Sequence, residues 1–344
     1  MSSSSLNLGI DFLYARVHGW WARSAHGELL DNLTRAATEE NFFHQLQAAG
    51  IISITNPERV LEQLILRQYD RLGQLGEYLG GAFQKYMHTL QDSLERENFK
   101  AILNYRFFPE RETKLTDTFV RFPGHAIHEK DLMAMLEAPD TEQFIRMIPE
   151  DDSREELAEI TRQLAKDKDI MRAECAVDNL SFRRELAAVR HLWGEMKDVL
   201  LKLQGCEMDC INIITLLRNA NFYHLDAKGL SYAWLEGGQE LSRELFDRLA
   251  TVHNPQEVLA SLPATYRSVF PEGLSGAKPG SLNNLLYCKL AHQAKEIFYD
   301  SVHPRRALAA YPMLLYLETI NLSRIYEGIR FSLPPRDIAA LMIR

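Results

Sequence analysis

Apolar side chains recur at helical spacing along almost the whole chain. Between Ser153 and Leu203 no proline occurs, and the only glycine is Gly194. Leu157, Ile160, Leu164 and Ile170, then Leu186, Val189, Leu192, Met196, Val199 and Leu200 fall near a 3.6-residue period. That pattern predicts one long helix or two placed end to end. Comparable runs are Pro57–Phe107, with glycines near its middle, and Ser281–Phe331, interrupted at Pro304 and Pro312. Alternating apolar and polar runs are almost absent, and Ile51–Ile54 is the one short candidate strand. Pro263–Gly280 is rich in proline and glycine and reads as a surface loop. The fold class expected is all-α.

Two patterns repeat three times in the same order. The first is an apolar residue, a capping residue that opens a short helix, and an apolar residue four positions after the cap. Its copies are Leu33, Thr38 and Phe42; Leu136, Asp140 and Phe144; Leu249, Asn254 and Val258. Leu46, Ile148 and Leu262 follow them. Gln143 and Glu257 stand where a capping box places its third residue, and Pro255 occupies the favoured first helical position. The second pattern is an acid, two residues, an asparagine and a large apolar residue. It reads Glu95-Arg-Glu-Asn98-Phe99, Asp209-Cys-Ile-Asn212-Ile213 and Glu318-Thr-Ile-Asn321-Leu322. The chain therefore divides into three related helical units, about 1–115, 116–230 and 231–344.

An acid and an asparagine three apart share a helix face. An inward-facing carboxylate needs partners. Either the pairs brace helix junctions within each unit, or they line a shared central surface.

Composition narrows the function. Hydrophobic residues make up 46% and charged residues 25% of 344, a globular balance in a chain long enough to bury several cores unaided. A net charge of −8 argues against nucleic acid as the main partner. Cys175, Cys206, Cys210 and Cys288 are too sparse for a secreted disulfide framework. Cys206 and Cys210 share a helix face, but no further ligands stand at zinc spacing, so core packing is expected. The Ser-rich opening, Met1–Leu8, lacks the basic flank and long apolar run of a signal peptide. No stretch reaches the ~18 apolar residues of a membrane span. A soluble, cytoplasmic chain that meets membranes only through another protein is expected.

Enzyme motifs are weak. Glu150-Asp-Asp-Ser-Arg-Glu155 contains a DDxxE string, yet it follows Pro149 and opens a helix, where acids favour the dipole. His125 and His128 lack the order of a zinc-protease motif. Neither a P-loop nor a G-x-S-x-G motif occurs. Gly73, Gly76, Gly80 and Gly81 read as packing or bending positions rather than a phosphate cradle.

Three segments carry a resemblance. They are Tyr14-Ala-Arg-Val with Glu28-Leu-Leu-Asp-Asn-Leu33, then Asp209-Cys-Ile-Asn-Ile-Ile-Thr-Leu-Leu-Arg218, then Pro312–Glu318 through Asn321 and Arg330 to Pro335-Arg-Asp-Ile338. In this order, with three-fold repetition, the chain resembles the C/d family of V-type and A-type ATPase (ATP synthase) components, found in bacterial and archaeal enzymes among others. Asn104 where the second copy has Arg218, and the pair Trp20-Trp21, are departures.

The resemblance implies a funnel of three pseudo-symmetric helical subdomains around a central cavity. Its wide face would sit on the membrane proteolipid rotor ring, and its socket would receive the central shaft, made by the D and F subunits. Such a component transmits torque without catalysis, cofactor, metal or insertion into the membrane. It serves proton or sodium transport coupled to ATP hydrolysis or synthesis. Two other readings remain from the residues alone: a free-standing helical scaffold for protein partners, and an all-helical metal-dependent enzyme with its metal near Asp151. The candidate site residues are Glu95, Asn98, Asp209, Asn212, Arg218, Glu318 and Asn321.

Overall fold

The helical period is realised throughout. A computed structural model describes residues 3–53, 59–109, 119–123, 129–270, 279–300 and 303–344, and among these residues there are helices and no strand. After Ser3–Trp21 (α1), two short helices, Gly27–Thr34 (α2) and Glu39–Ala48 (α3), precede a long pair, Val60–Leu79 (α4) and Gly81–Phe107 (α5). The order then returns. Short Glu129–Glu137 (α6) and Thr141–Arg146 (α7) lead through Arg154–Asp167 (α8) to long Ile170–Arg190 (α9) and Glu195–Arg218 (α10). Beyond a π turn at Asn219–Tyr223 lies the one-turn helix Ala227–Leu230 (α11). Arg243–Ala250 (α12), Pro255–Ser261 (α13) and Ala264–Arg267 (α14) precede the long pair Pro279–Phe298 (α15) and Pro304–Arg330 (α16). Pro335–Ala340 (α17) follows.

Local chemistry sets these boundaries. Thr38, Asp140 and Asn254 cap their short helices, accepting from the backbone N–H of Asn41, Gln143 and Gln256. The α4–α5 joint turns at Gly80 and Gly81, with φ of 63° and 56°, a region open to glycine at little cost. The stretch 153–203 contains parts of three helices. One break is at Gly194; the other is at Lys168, whose left-handed φ of 58° no proline or glycine announces. Residues 51–53 form no strand, and Ile54 lies outside the described residues, as do His125 and His128. The 263–280 segment begins with α14, and α15 starts at Pro279. Helix α16 runs through Pro312.

Packing is cyclic. The short pair α6 and α7 covers the end of α5, burying Phe144 and Met135 against Phe99, Ile102 and Leu103. Helices α12 and α13 cover the end of α10, with Phe246, Leu249 and Val258 in one core with Leu216 and Leu217. Helices α2 and α3 cover the end of α16, with Leu33, Phe42 and Leu46 in one core with Leu322, Ile325 and Tyr326. Each buried Leu or Phe contributes about 1.5–3 kcal/mol relative to exposure. The third contact joins the first part of the chain to the last and closes the cycle.

Candidate functional site

The three motif asparagines make the same contact. Asn98 donates from Nδ2 to the Val120 carbonyl at 2.7 Å and accepts from the Val120 N–H at 2.9 Å. Asn212 does this with Leu235 at 2.8 and 2.9 Å, and Asn321 with Ile343 at 2.8 and 2.8 Å. The partner lies 22, 23 and 22 residues downstream. All three asparagines are buried. Each amide therefore pairs with both the N–H and the carbonyl of one residue outside the helices and pins it to the motif helix.

The acids differ in their partners. Glu95 is half-buried and accepts from Tyr69 Oη at 2.9 Å. Asp209 is fully buried. It accepts from the backbone N–H groups of Gln239, Glu240 and Leu241 at 2.9, 2.9 and 3.2 Å, and from Tyr266 Oη at 3.0 Å. Burial pushes its pKa up, and these donors pull the other way. Gly238 makes the nest possible: a Cβ there would sit 2.0 Å from Asp209 Oδ1. Glu318 accepts from the Ala25 N–H at 2.7 Å and from Arg67 Nη1 at 2.9 Å, so the last motif acid holds the first part of the chain.

Arg218, by contrast, is exposed at the end of α10, and Asn104 at the matching place on α5 donates to Glu174 at 3.2 Å. Trp20 and Trp21 are buried, with Arg71 lying 4.2 Å over the Trp20 ring. Cys206 and Cys210 are core residues. Asp151 accepts from the N–H and Oγ of Ser153 at the start of α8, and Asp152 pairs with Arg184. Among the described residues no cluster of His, Cys, Asp and Glu could hold a metal.

None of the seven motif residues lines the main cavity. That cavity, about 420 Å³, is framed by α4, α5, α9, α10 and α16. Its helices come from the first, middle and last parts of the chain. One wall is polar: Ser93, Glu97 and Lys100 on α5 face Asp178, Ser181 and Glu185 on α9. Lys100 is bound by Glu97 and Asp178, at 2.7 Å each. Glu185 accepts from Ser93, and from Gln204 at 3.4 Å. Across the cavity α16 presents Ala309, Pro312, Met313 and Tyr316.

Residues 13–341 match the family model of the ATP synthase (C/AC39) subunit. The chain belongs to that family. A search of the curated proteins finds no match. As a C/AC39 family member the chain is a component of a V/A-type ATPase. Among its described residues no helix is long and apolar enough to cross a membrane.

Some residues that shape this C/AC39 protein are not marked in its sequence. The partners of the asparagines, Val120, Leu235 and Ile343, carry no side-chain signal, because the contact is made by backbone. Glu185 and Glu207 look like ordinary helix acids. For Glu207 a signal existed: the apolar run 199–217 contains only two acids, Glu207 and Asp209.

Proposed function

We propose that this C/AC39 protein is the non-catalytic coupling piece between the membrane proteolipid ring and the central shaft, made by the D and F subunits, of a V- or A-type ATPase. The observation that carries the reading is the cavity framed by long helices of all three repeats. A socket formed this way lets a shaft grip every unit at once. The three units, about 1–115, 116–230 and 231–344, then act as one funnel. Seven side chains, Glu95, Asn98, Asp209, Asn212, Arg218, Glu318 and Asn321, are its repeat-motif set; the buried ones keep the walls rigid rather than touch the shaft.

The ring would meet the outer surface. An exposed aromatic stands by each joint between paired long helices: Tyr78 before Gly80, Trp193 before Gly194 and Tyr299 after α15. Tyr and Trp are enriched at protein interfaces because they combine an apolar body with a polar handle. The protein lies on the cytoplasmic side, peripheral to the membrane, and serves proton or sodium transport during ATP hydrolysis or synthesis. The chain carries no phosphate-binding loop, so nucleotide chemistry belongs to other components. Its net charge of −8 would steer a basic partner surface.

Docking of the soluble ATPase sector onto ring-containing membranes, with and without this chain over a salt series, tests the reading. Docking is expected to require the chain. It is also expected to weaken with salt, since exposed pairs are screened over about 8–10 Å at physiological ionic strength. Equal docking without the chain would contradict the assignment.

A further inference from the structure

The main cavity holds more acid than base. Glu97, Asp178, Glu185 and Glu207 line it, with Lys100 as the one lining cation among the described residues, and Lys100 is already held by Glu97 and Asp178. Arg96 lies behind the polar wall, donating to Ser181 at 3.2 Å and standing 3.9 Å from Asp92. Among the described residues neither Glu185 nor Glu207 forms an ion pair, although the Arg96 charge acts on Glu185.

Glu207 is the telling residue. It is only 7% exposed and has no hydrogen-bond or ion-pair partner among the described residues. Besides Glu185, the titratable groups around it are Tyr86, Tyr287, Tyr316, Cys206 and Cys210, none of them a cation. One turn away, Gln204 Oε1 is buried and also unpartnered. An unpaired buried carboxylate costs several kcal/mol unless it is neutralised or meets a cation. Burial pushes Glu207 up to about 8 and Glu185 up to about 7; the Arg96 charge pulls Glu185 back in part, whereas no cation among the described residues does so for Glu207.

The rest of the lining says what kind of cation fits. A cavity needs on the order of 10–15 Å³ to hold one water. At about 420 Å³ this one is far larger than a bare ion requires. Its apolar wall of Leu200, Leu203, Pro312 and Met313 suits an alkyl stem. Tyr86 and Tyr316 also line it, aromatic residues of a kind that attracts a cationic head.

We propose that this cavity is a receptor for one lysine or arginine side chain at the tip of the protein segment that enters it, with Glu207 and Glu185 as its counter-ions. The inference rests on the socket reading above and adds the chemistry by which the socket recognises its shaft.

Two probes test it on the full chain: the purified D–F shaft subcomplex of the same ATPase, and n-hexylammonium with n-hexanol as the neutral control. Binding is measured calorimetrically for the natural chain, Glu207→Gln and Glu185→Gln/Glu207→Gln, with thermal melting to check folding. Loss of a buried charge partner is expected to weaken shaft binding roughly thirtyfold or more. Hexylammonium is expected to bind the natural chain saturably and neither variant, while hexanol binds none. Equal shaft binding by the natural chain and Glu207→Gln, or equal binding of hexanol and hexylammonium, would overturn the cation receptor and leave the coupling role standing. If the shaft fails to bind the natural chain, the socket reading falls and takes the proposed occupant with it.

Discussion

Arg67 and Glu318 meet 251 residues apart in sequence, with Arg67 Nη1 donating to Glu318 Oε2 at 2.9 Å. The Glu318 side chain is 1% exposed and that of Arg67 12%. The other carboxylate oxygen accepts from the Ala25 N–H. The pair sits where α4, early in the chain, meets α16, near its end, so it latches the closed cycle. Removing one partner leaves a buried charge uncompensated. Arg67→Met is therefore expected to destabilise by about 3–5 kcal/mol in denaturant melts. The double replacement Arg67→Met/Glu318→Gln is expected to recover part of that loss. An unchanged midpoint for Arg67→Met would show that the pair does not hold the cycle.

The asparagine clamps give a second expectation. Asn98→Ala, Asn212→Ala and Asn321→Ala each orphan one buried backbone N–H and one carbonyl. Each is expected to cost about 1–3 kcal/mol. Asn→Asp at the same positions keeps the acceptor and loses the donor, and places a charge against a carbonyl, so it is expected to be no better than Ala. Equilibrium unfolding of the set checks this. Similar losses at all three sites are expected from their shared geometry.

The stability of the chain is expected to depend on pH through Glu207. Burial raises its folded pKa from the ordinary 4.5 to about 8. The folded state then holds a proton that the unfolded state releases. The resulting stability is fully present below 4.5 and is lost as pH rises through about 8. Glu185, raised to about 7, acts in the same direction. Glu207→Gln removes the charge without changing shape. It is expected to melt with the natural chain at about pH 5 and to exceed it by on the order of 2 kcal/mol at about pH 9. Coincident melts at both pH values would show that burial does not raise the Glu207 pKa.

Periodicity, caps and the repeated acid–asparagine spacing are local signals, so the helices and the motif positions on them were legible in the sequence. Thr38, Asp140 and Asn254 each cap the helix that their position announces. The left-handed break at Lys168 was not legible, because an ordinary side chain occupies it. Nor was α14, a single turn behind Pro263. The motif residues could be picked out but not placed: only tertiary structure shows that Asn212 reaches Leu235, or that Glu318 turns to Arg67. The cavity was hidden for a similar reason. Whether an acid on a helix faces solvent or a cavity depends on which neighbours pack beside it, and Glu185 beside Arg183 and Arg184 reads as surface until α5 is laid against α9.

The most direct test of the coupling role is a count of ions moved per ATP hydrolysed, in vesicles holding the complete ATPase with this chain present or omitted. The proposed coupling role predicts that hydrolysis persists without the chain while ion transport falls to background. Transport at full rate without the chain would contradict the coupling role outright.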